Sequence, residues 1–243
     1  MGPDNDASTG PDDGLRAAPP DGPWADAWLS PGRLGRYVAQ TAGDRPRALA
    51  LYEWNTQLGC ALQHDLGHLE VALRNAYDAA AVVHWPGPGH WLADDADRLF
   101  APLLRTRKSG GVKRQVDTNW RQREIVAKAV REAGGPRATP GKVVAQLSLG
   151  FWRYLTSSAH EKTLWVPMLH HAYPPGTRRA DVDDRIGRLH DVRNRIAHHE
   201  HLLDRNVAAL HDDLLHIARQ LLPELEQYLN ATSTVRTLLQ RRP

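Results

Sequence analysis

The sequence predicts an all-α protein built as a helical bundle. Apolar residues recur at spacings of three and four over long stretches, as expected for amphipathic helices. Runs that alternate polar and apolar residues are nearly absent, and so are two-residue hairpin turns flanked by β-branched residues. The chain has 243 residues, 41% of them hydrophobic and 24% charged, so it is long and apolar enough to bury a sizeable core.

The chain is predicted to consist of one folded domain between two tails. Residues 1–22 are dominated by Gly, Pro, Asp and Ser, and such a segment has too few apolar side chains to offset the entropy of ordering it. We therefore expect a disordered acidic tail over 1–22, a single domain over 23–230 and a basic C-terminal tail over 231–243. The acidic tail carries a net charge of −4, which leaves +7 on residues 23–243.

The helices can be predicted in chain order from capping residues and periodicity. The first should begin at Ser30-Pro31, an N-cap followed by a proline at the first helical position, and end near Gly43. A long amphipathic helix is predicted from Arg47 to His84, and the prolines and glycines of residues 85–89 should end it. Further helices are expected over 95–104, 119–133, 139–150, 161–172, 180–198 and 204–229.

Composition excludes several classes of protein. No apolar run approaches the 18 or so residues of a membrane-spanning helix, and the N-terminal sequence is acidic and polar where a secretory signal would be basic and then apolar. A single cysteine, Cys60, allows no internal disulfide and no Cys-based zinc site, and is expected to be a small buried core residue. These observations predict a soluble, cytoplasmic protein with no membrane partner.

The most informative segment is DVRNRIAHHEH at 191–201, at the end of a predicted helix. Arg193 lies about 20° around that helix from Ile186, on the edge of the apolar stripe, where a purely solvating arginine is unusual. Arg193 and His198 differ by about 140°, so their side chains meet only through the length of arginine, a helix end or a second subunit. The spacing by itself does not define an active site.

Three blocks resemble a known family. Arg193, Asn194 and His198 resemble the Arg-x(4–6)-His motif of the HEPN superfamily, and RNRIAHHE is similar to the matching segment of Abi-like (abortive infection) proteins of the AbiD/AbiF kind. The sequence EVALRN at 70–75 resembles that family's first-helix Glu-x-x-x-Arg-Asn signature. QLSLGFW at 146–152, followed by Leu164-Trp165, resembles its Leu-Ser-x-Gly-x-Trp region.

The resemblance implies a helical bundle that dimerises and cleaves RNA in a composite cleft, without a metal or another cofactor. Because histidine as a residue type titrates near neutral pH, His198 would take the proton of a ribose 2′-OH or supply one to the leaving 5′-oxygen. Arg193 would bind the phosphate as its charge builds, and Asn194 would orient either group or the RNA. The expected products carry 2′,3′-cyclic phosphate and 5′-hydroxyl ends.

The same resemblance implies supporting roles on the long helix. Glu70 would orient His198 or Arg193, while Arg74 and Asn75 would contact phosphate. An ordinary i,i+4 ion pair between Glu70 and Arg74 is the alternative. For the motif itself the alternative is a helix C-terminus whose histidines interact with the helix dipole and free carbonyls.

A basic segment over 105–123 carries a net charge of +6 around Gly110-Gly111. We interpret it as a loop that tracks an RNA backbone and stacks a base on its tryptophan. A mobile, solvated loop without a partner is the alternative. The candidate RNA-binding residues are Arg105, Arg107, Lys108, Lys113, Arg114, Trp120, Arg121 and Arg123.

A metal site is not expected, because a His-Glu-x-x-His motif starting at His199 fails at Leu203, and His64 and His68 lack a third ligand. The resemblance to the HEPN superfamily thus implies a metal-independent endoribonuclease acting in phage defence or as the toxin of a toxin–antitoxin system. It would act as a homodimer held in check by an RNA or protein antitoxin. The alternative is a non-catalytic module that binds RNA or another protein.

Overall fold

The computed structural model describes residues 16–243, except for the side chain of Ser109. The protein is mostly helical, at 68%. This confirms the predicted class in its coarse form. Most of the predicted acidic tail, residues 1–15, lies outside the described residues.

Within residues 16–243 there are ten α-helices and one two-stranded antiparallel sheet. The helices and strands are α1 (Pro23–Gln40), α2 (Arg45–His84), α3 (Ala96–Leu99), β1 (Leu104–Ser109), β2 (Val112–Asp117), α4 (Trp120–Glu132), α5 (Pro140–Ala145), α6 (Leu149–Thr156), α7 (Arg179–Ala197), α8 (Val207–Leu221), α9 (Pro223–Thr232) and α10 (Val235–Gln240).

The chain forms two compact units. Among the described residues, the first consists of 16–65, Arg193–His211 and Thr232–Pro243, and the second of Leu66–Val192 and Asp212–Ala231. Helices α2, α7, α8 and α9 each contribute to both units, α9 by its last residue only. The predicted bounds of one domain and two tails stay predictions.

The core of the first unit is built from α1, the first part of α2, the segment after α7, and α10. Its fully buried side chains include Leu34, Leu49, Leu58, Leu62 and Val235. The indole nitrogen of Trp54 donates a hydrogen bond to the carbonyl oxygen of Leu238, at 2.6 Å. The segment over 231–243, predicted as a basic tail, therefore contains a packed helix.

Helix α1 is interrupted at one residue. Ser30 has φ 61° and ψ 152°, and the helix resumes at Pro31. The predicted helix start at Ser30-Pro31 coincides with this break, but the turns over 23–29 were missed. The first of these turns is fixed by charge, because Arg45 of α2 forms ion pairs with Asp21 and Asp26, at 2.9 and 3.0 Å.

The second unit has its own aromatic core. Trp91, Trp152 and Phe100 are fully buried, and the hydroxyl groups of Tyr77 and Tyr173 are hydrogen-bonded at 2.8 Å. The periodic apolar residues of α2 lie in this core as predicted, from Leu66 onward. Helix α2 confirms the predicted long helix almost to the residue, because its apolar stripe is continuous and no proline interrupts it.

Residues 104–117 form a β-hairpin. The prediction of a loop in this region was therefore wrong. Ser109 pairs with Val112, so Gly110-Gly111 is a two-residue turn, and both glycines have positive φ, at 57° and 83°. That is the conformation a type I′ hairpin turn requires. The strands were missed because residues 104–108 and 110–115 are exposed, so no alternation of polar and apolar residues marks them.

Four of the predicted helices differ in detail. In place of the predicted helix over 139–150, α5 ends at Ala145 and a separate helix, α6, runs from Leu149 to Thr156. The segment over 161–172 contains a π-turn and a 3₁₀-turn, at Glu161–Trp165 and Leu169–Ala172, rather than an α-helix. The predicted helix over 204–229 is divided into α8 and α9 at Pro223, because proline cannot donate the next helical hydrogen bond. The predicted helix over 95–104 shrinks to the single turn of α3.

Candidate functional site

The end of α7 is closed by a Schellman motif centred on a histidine. The amide of His199 donates to the carbonyl of Ile196, at 2.9 Å, and the amide of Glu200 donates to that of Arg195, at 2.8 Å. His199 has φ 54°, the left-handed conformation that glycine normally supplies at this position. A histidine therefore occupies a strained position directly beside the predicted catalytic residue His198.

The predicted catalytic residues occupy the last turn of α7 and the residue just beyond it. Arg193 and Asn194 are half-buried, and His198 is exposed. The amide of His198 still donates to the carbonyl of Asn194, at 3.0 Å, so these two residues are joined through the backbone. The side chains of Arg193 and His198 are not hydrogen-bonded to one another.

Arg193 carries an unsatisfied polar atom. Its Nε is buried and has no hydrogen-bond partner among the described residues. A buried donor without a partner costs about 1–3 kcal/mol, a cost that an anionic ligand would relieve. This guanidinium is the feature of the first unit that most directly indicates an anion site.

The segment after α7 is held by Arg195, which sequence reasoning did not single out. Its Nη2 donates to the carbonyl of His201, at 3.0 Å, and lies 3.4 Å from Asp204 Oδ1, while its Nη1 lies 3.5 Å from Glu200. One arginine of the last helical turn thus fixes the loop that carries His198 and His199. Arginine also satisfies helix-end carbonyls electrostatically.

Two arginines of α1 reach the same loop. Arg33 Nη1 donates to the carbonyl of His199, at 2.8 Å, and Arg36 Nη1 donates to His201 Nε2, at 2.7 Å. Because the imidazole nitrogen accepts this bond, the ring proton of His201 lies on Nδ1, which is 3.5 Å from Asp204 Oδ1. His201 is therefore held by side chains rather than by free helix carbonyls. The signal in the sequence was the three-residue spacing of Arg33 and Arg36, which puts both on one helix face.

A pocket of about 670 Å³ opens beside this loop. Its walls come from α1, α2, Ile196 of α7 and the residues that follow His198, all within the first unit. Cys60 lines it and is exposed, which corrects the expectation of a buried core cysteine. The cysteine follows Gly59 on the side of α2 that faces the pocket rather than on its Leu58/Leu62 stripe.

The predicted supporting residues lie on α2 in the second unit. Arg74 Nη1 donates to the carbonyl of Ala145, at 3.5 Å, at the C-terminus of α5. Glu70 is half-buried and Asn75 is exposed, and Glu70 forms no ion pair with Arg74 among the described residues. Arg74 thus contacts a helix end, and the phosphate contacts expected of Arg74 and Asn75 stay a prediction.

The arginines and the lysines of the β-hairpin lie on opposite faces of the ribbon. Strand register places Arg107 opposite Arg114 and Lys108 opposite Lys113. Because side chains alternate between the faces of a strand, Arg105, Arg107 and Arg114 share one face, and the lysines share the other. Directly opposed like charges are destabilising, so two such pairs on an exposed ribbon favour a polyanionic partner.

The base of the hairpin is tied to the second unit by Asp117. Its Oδ1 accepts hydrogen bonds from the amides of Leu103 and Asn119, both at 2.9 Å, and Arg123 lies 2.5 Å from its Oδ2. The Arg123 guanidinium lowers the pKa of the Asp117 carboxyl. Arg123, predicted to bind RNA, is thus engaged in this anchor, whereas Trp120 and Arg121 are exposed next to it.

In the part of the chain that the structure describes, no group of three His, Cys, Asp or Glu side chains is arranged to hold a metal ion. None of the described helices is long and apolar enough to cross a membrane.

Comparison of the chain with family models, with curated proteins and with solved structures gave no match. The resemblance to the HEPN superfamily therefore rests on the three sequence blocks.

Proposed function

We propose that the protein is a metal-independent endoribonuclease whose site is formed by Arg193, Asn194 and His198. The observation that carries this proposal is the partnerless, buried Nε of Arg193 less than two turns from an exposed histidine. The guanidinium supplies a permanent charge for a phosphate, and the imidazole supplies a group that takes or gives a proton.

The proposed reaction needs no group beyond the RNA and these side chains. The ribose 2′-oxygen loses its proton to a base and bonds to phosphorus, while the bond from phosphorus to the 5′-oxygen breaks and that oxygen gains a proton. Arg193 neutralises the charge on the non-bridging oxygens. His198 serves as base or acid, and a second copy of the chain in a homodimer supplies the opposite role.

The second candidate is a non-catalytic RNA-binding module. The arginine face of the hairpin favours it, because this face attracts a polyanion whether or not chemistry follows. The two candidates differ in what His198 does. A binding module loses little when His198 is replaced, whereas an endoribonuclease loses its activity.

Within this proposal the enzyme acts in phage defence or as a toxin, restrained by an RNA or protein antitoxin. Expression of the chain in a bacterial host tests it. We expect the wild type to arrest growth and His198→Ala to restore it, at equal protein levels. The matched control is Arg131→Ala, which removes an exposed cation from α4 and should stay toxic. Growth arrest by His198→Ala equal to that of the wild type would favour the binding module.

A further inference from the structure

The pocket beside the end of α7 has an aromatic rim. Trp24 and Trp28 lie one turn apart on α1 with their rings stacked, 5.5 Å between centroids and 8° between planes. Both remain about half exposed, at 47% and 52%. Trp28 also meets Tyr52 edge to face, at 5.4 Å. Of the two tryptophans, Trp28 lines the pocket, and its exposed ring is a platform for another flat ring.

Two side chains that can donate hydrogen bonds, Asn55 and Tyr37, also line the pocket. The Oδ1 of Asn55 accepts the amide hydrogen of Leu202, at 2.7 Å, and its NH₂ group is the donor that this side chain offers to a ligand. The Tyr37 hydroxyl is a second donor. Together the two groups match a ligand with acceptor atoms.

The Tyr37 hydroxyl stays protonated and able to donate. Burial raises the pKa of Tyr37 to about 12, and the neighbouring Tyr52 adds to this. The pocket therefore combines aromatic side chains with two neutral donors. Neutral donors beside a flat ring match a heterocyclic base, whereas Arg33 at the same pocket supplies the charge that a phosphate requires.

We propose that this pocket binds an unpaired base of single-stranded RNA, stacked at Trp28 and hydrogen-bonded by Asn55 and Tyr37. The proposal rests on the proposed ribonuclease function and gives it a substrate class. His199 and Glu200 line the pocket and directly follow His198, so a base held here lies next to the proposed cleavage site. Arg33 lines the pocket as well and would place a positive charge beside the phosphates of the bound RNA.

Binding of two matched oligomers tests the proposal in the full-length His198→Ala chain, which prevents cleavage. One is a single-stranded RNA 12-mer of mixed sequence, and the other is an abasic 12-mer with the same sugar-phosphate backbone. We expect the RNA to bind at least about tenfold more tightly, since stacking contributes roughly 1–3 kcal/mol per base. Trp28→Ala should remove that preference, and Tyr37→Phe, which keeps the ring, should reduce it about fivefold.

Two controls separate the pocket from the rest of the molecule. Tyr228→Ala removes another aromatic side chain, 49% exposed in the second unit, and should leave the preference unchanged. Arg107→Gln on the hairpin should weaken binding of both oligomers by a similar factor, because it removes a phosphate contact. Equal binding of RNA and abasic oligomer by the wild-type pocket would overturn the proposal.

Cys60 reports where the base binds. It is the sole cysteine of the chain, it is exposed, and it lines the pocket, so its alkylation by N-ethylmaleimide follows occupancy. We expect the RNA 12-mer to slow alkylation at least about fivefold and the abasic oligomer to have little effect. Unchanged alkylation under saturating RNA would contradict the proposed location.

The outcomes distinguish this proposal from the proposed function. Base-dependent binding without any RNA cleavage by the wild type would support the base-binding pocket and contradict the proposed ribonuclease activity. Cleavage with no base-dependent binding would contradict the base-binding pocket and support the ribonuclease activity. Conversion of a dimer to a monomer by Trp28→Ala, seen in sedimentation, would assign the tryptophans to a second copy of the chain and overturn the proposal.

Discussion

Arg33 of α1 donates a hydrogen bond to the carbonyl oxygen of His199, 166 residues further along the chain. The acceptor belongs to a residue whose own backbone is strained, with φ 54°. The contact therefore fixes the end of α7 in the conformation that follows the proposed catalytic histidine. Because strained backbone clusters at functional sites, we infer a functional role for His199.

Replacing His199 by glycine is expected to stabilise the protein. Glycine adopts positive φ without steric cost, so His199→Gly should raise the free energy of unfolding by about 1 kcal/mol. Ala197→Gly, two residues earlier in the last helical turn, should lower it by about the same amount. Urea denaturation followed by circular dichroism measures both. A destabilised His199→Gly protein would show that the imidazole contributes more than the strain costs.

Asn55 is expected to connect α2 to the loop after α7. Its Oδ1 accepts the amide of Leu202, a residue 2% exposed, so Asn55→Ala leaves a buried donor unsatisfied. We expect a loss of about 1–3 kcal/mol of unfolding free energy. Asn55→Asp keeps the acceptor oxygen and should retain more stability than Asn55→Ala. Equal losses in the two variants, measured by urea denaturation, would contradict the role given to this bond.

His160 should make the protein less stable as the pH falls. It is buried against Phe100 and Tyr154, and burial lowers its pKa to about 4. The unfolded chain takes up a proton at this residue near pH 6.5 while the folded chain does not. The free energy of unfolding therefore falls as the pH is lowered from 6.5 to 4, and His160 accounts for up to about 3 kcal/mol of this decrease.

The His160→Phe variant isolates that effect. It keeps an aromatic ring in the same contacts and removes the titrating group, so its stability should fall less steeply than that of the wild type between pH 6.5 and 4.5. Thermal unfolding at several pH values measures the difference. Parallel curves for the two proteins would show that His160 is not the group responsible.

The two faces of the hairpin should differ in RNA binding. Arg107→Gln removes a guanidinium that can grip a phosphate bidentately, whereas Lys108→Gln removes a point charge from the opposite face. We expect the arginine variant to weaken single-stranded RNA binding more. It should also reduce the slope of log K against log salt by about 0.7 for each lost phosphate contact. Equal losses of RNA affinity in the two variants would show that the arginine face and the lysine face do not differ in RNA binding.

The long helix and the last turn of α7 could be predicted from the sequence because their signals are local. An unbroken apolar stripe predicted α2, and the spacing of Arg193, Asn194 and His198 placed them where α7 ends. The hairpin was missed because its side chains are solvated. Its signal was the Gly110-Gly111 pair alone, since no face of the ribbon is buried.

The surroundings of the site could not be predicted because they depend on contacts between distant segments. Nothing near Arg33 or Asn55 in the sequence shows that they bond to residues 199 and 202. The left-handed conformation of His199 was equally hidden, because glycine is the usual residue there and histidine is not. Local periodicity predicts which residues lie on the same side of a helix. Which other residues that side contacts depends on long-range packing.

Cleavage of RNA in the presence of EDTA decides whether the protein is a metal-independent ribonuclease. A labelled single-stranded RNA pool is incubated with the wild type, Arg193→Ala, His198→Ala and the control Arg131→Ala, each checked for folding by circular dichroism. We expect 2′,3′-cyclic phosphate and 5′-hydroxyl ends from the wild type and the control, and a loss of activity of at least about a hundredfold in Arg193→Ala and His198→Ala. Equal cleavage by all four proteins, or none by a wild type that binds the RNA, would contradict this expectation.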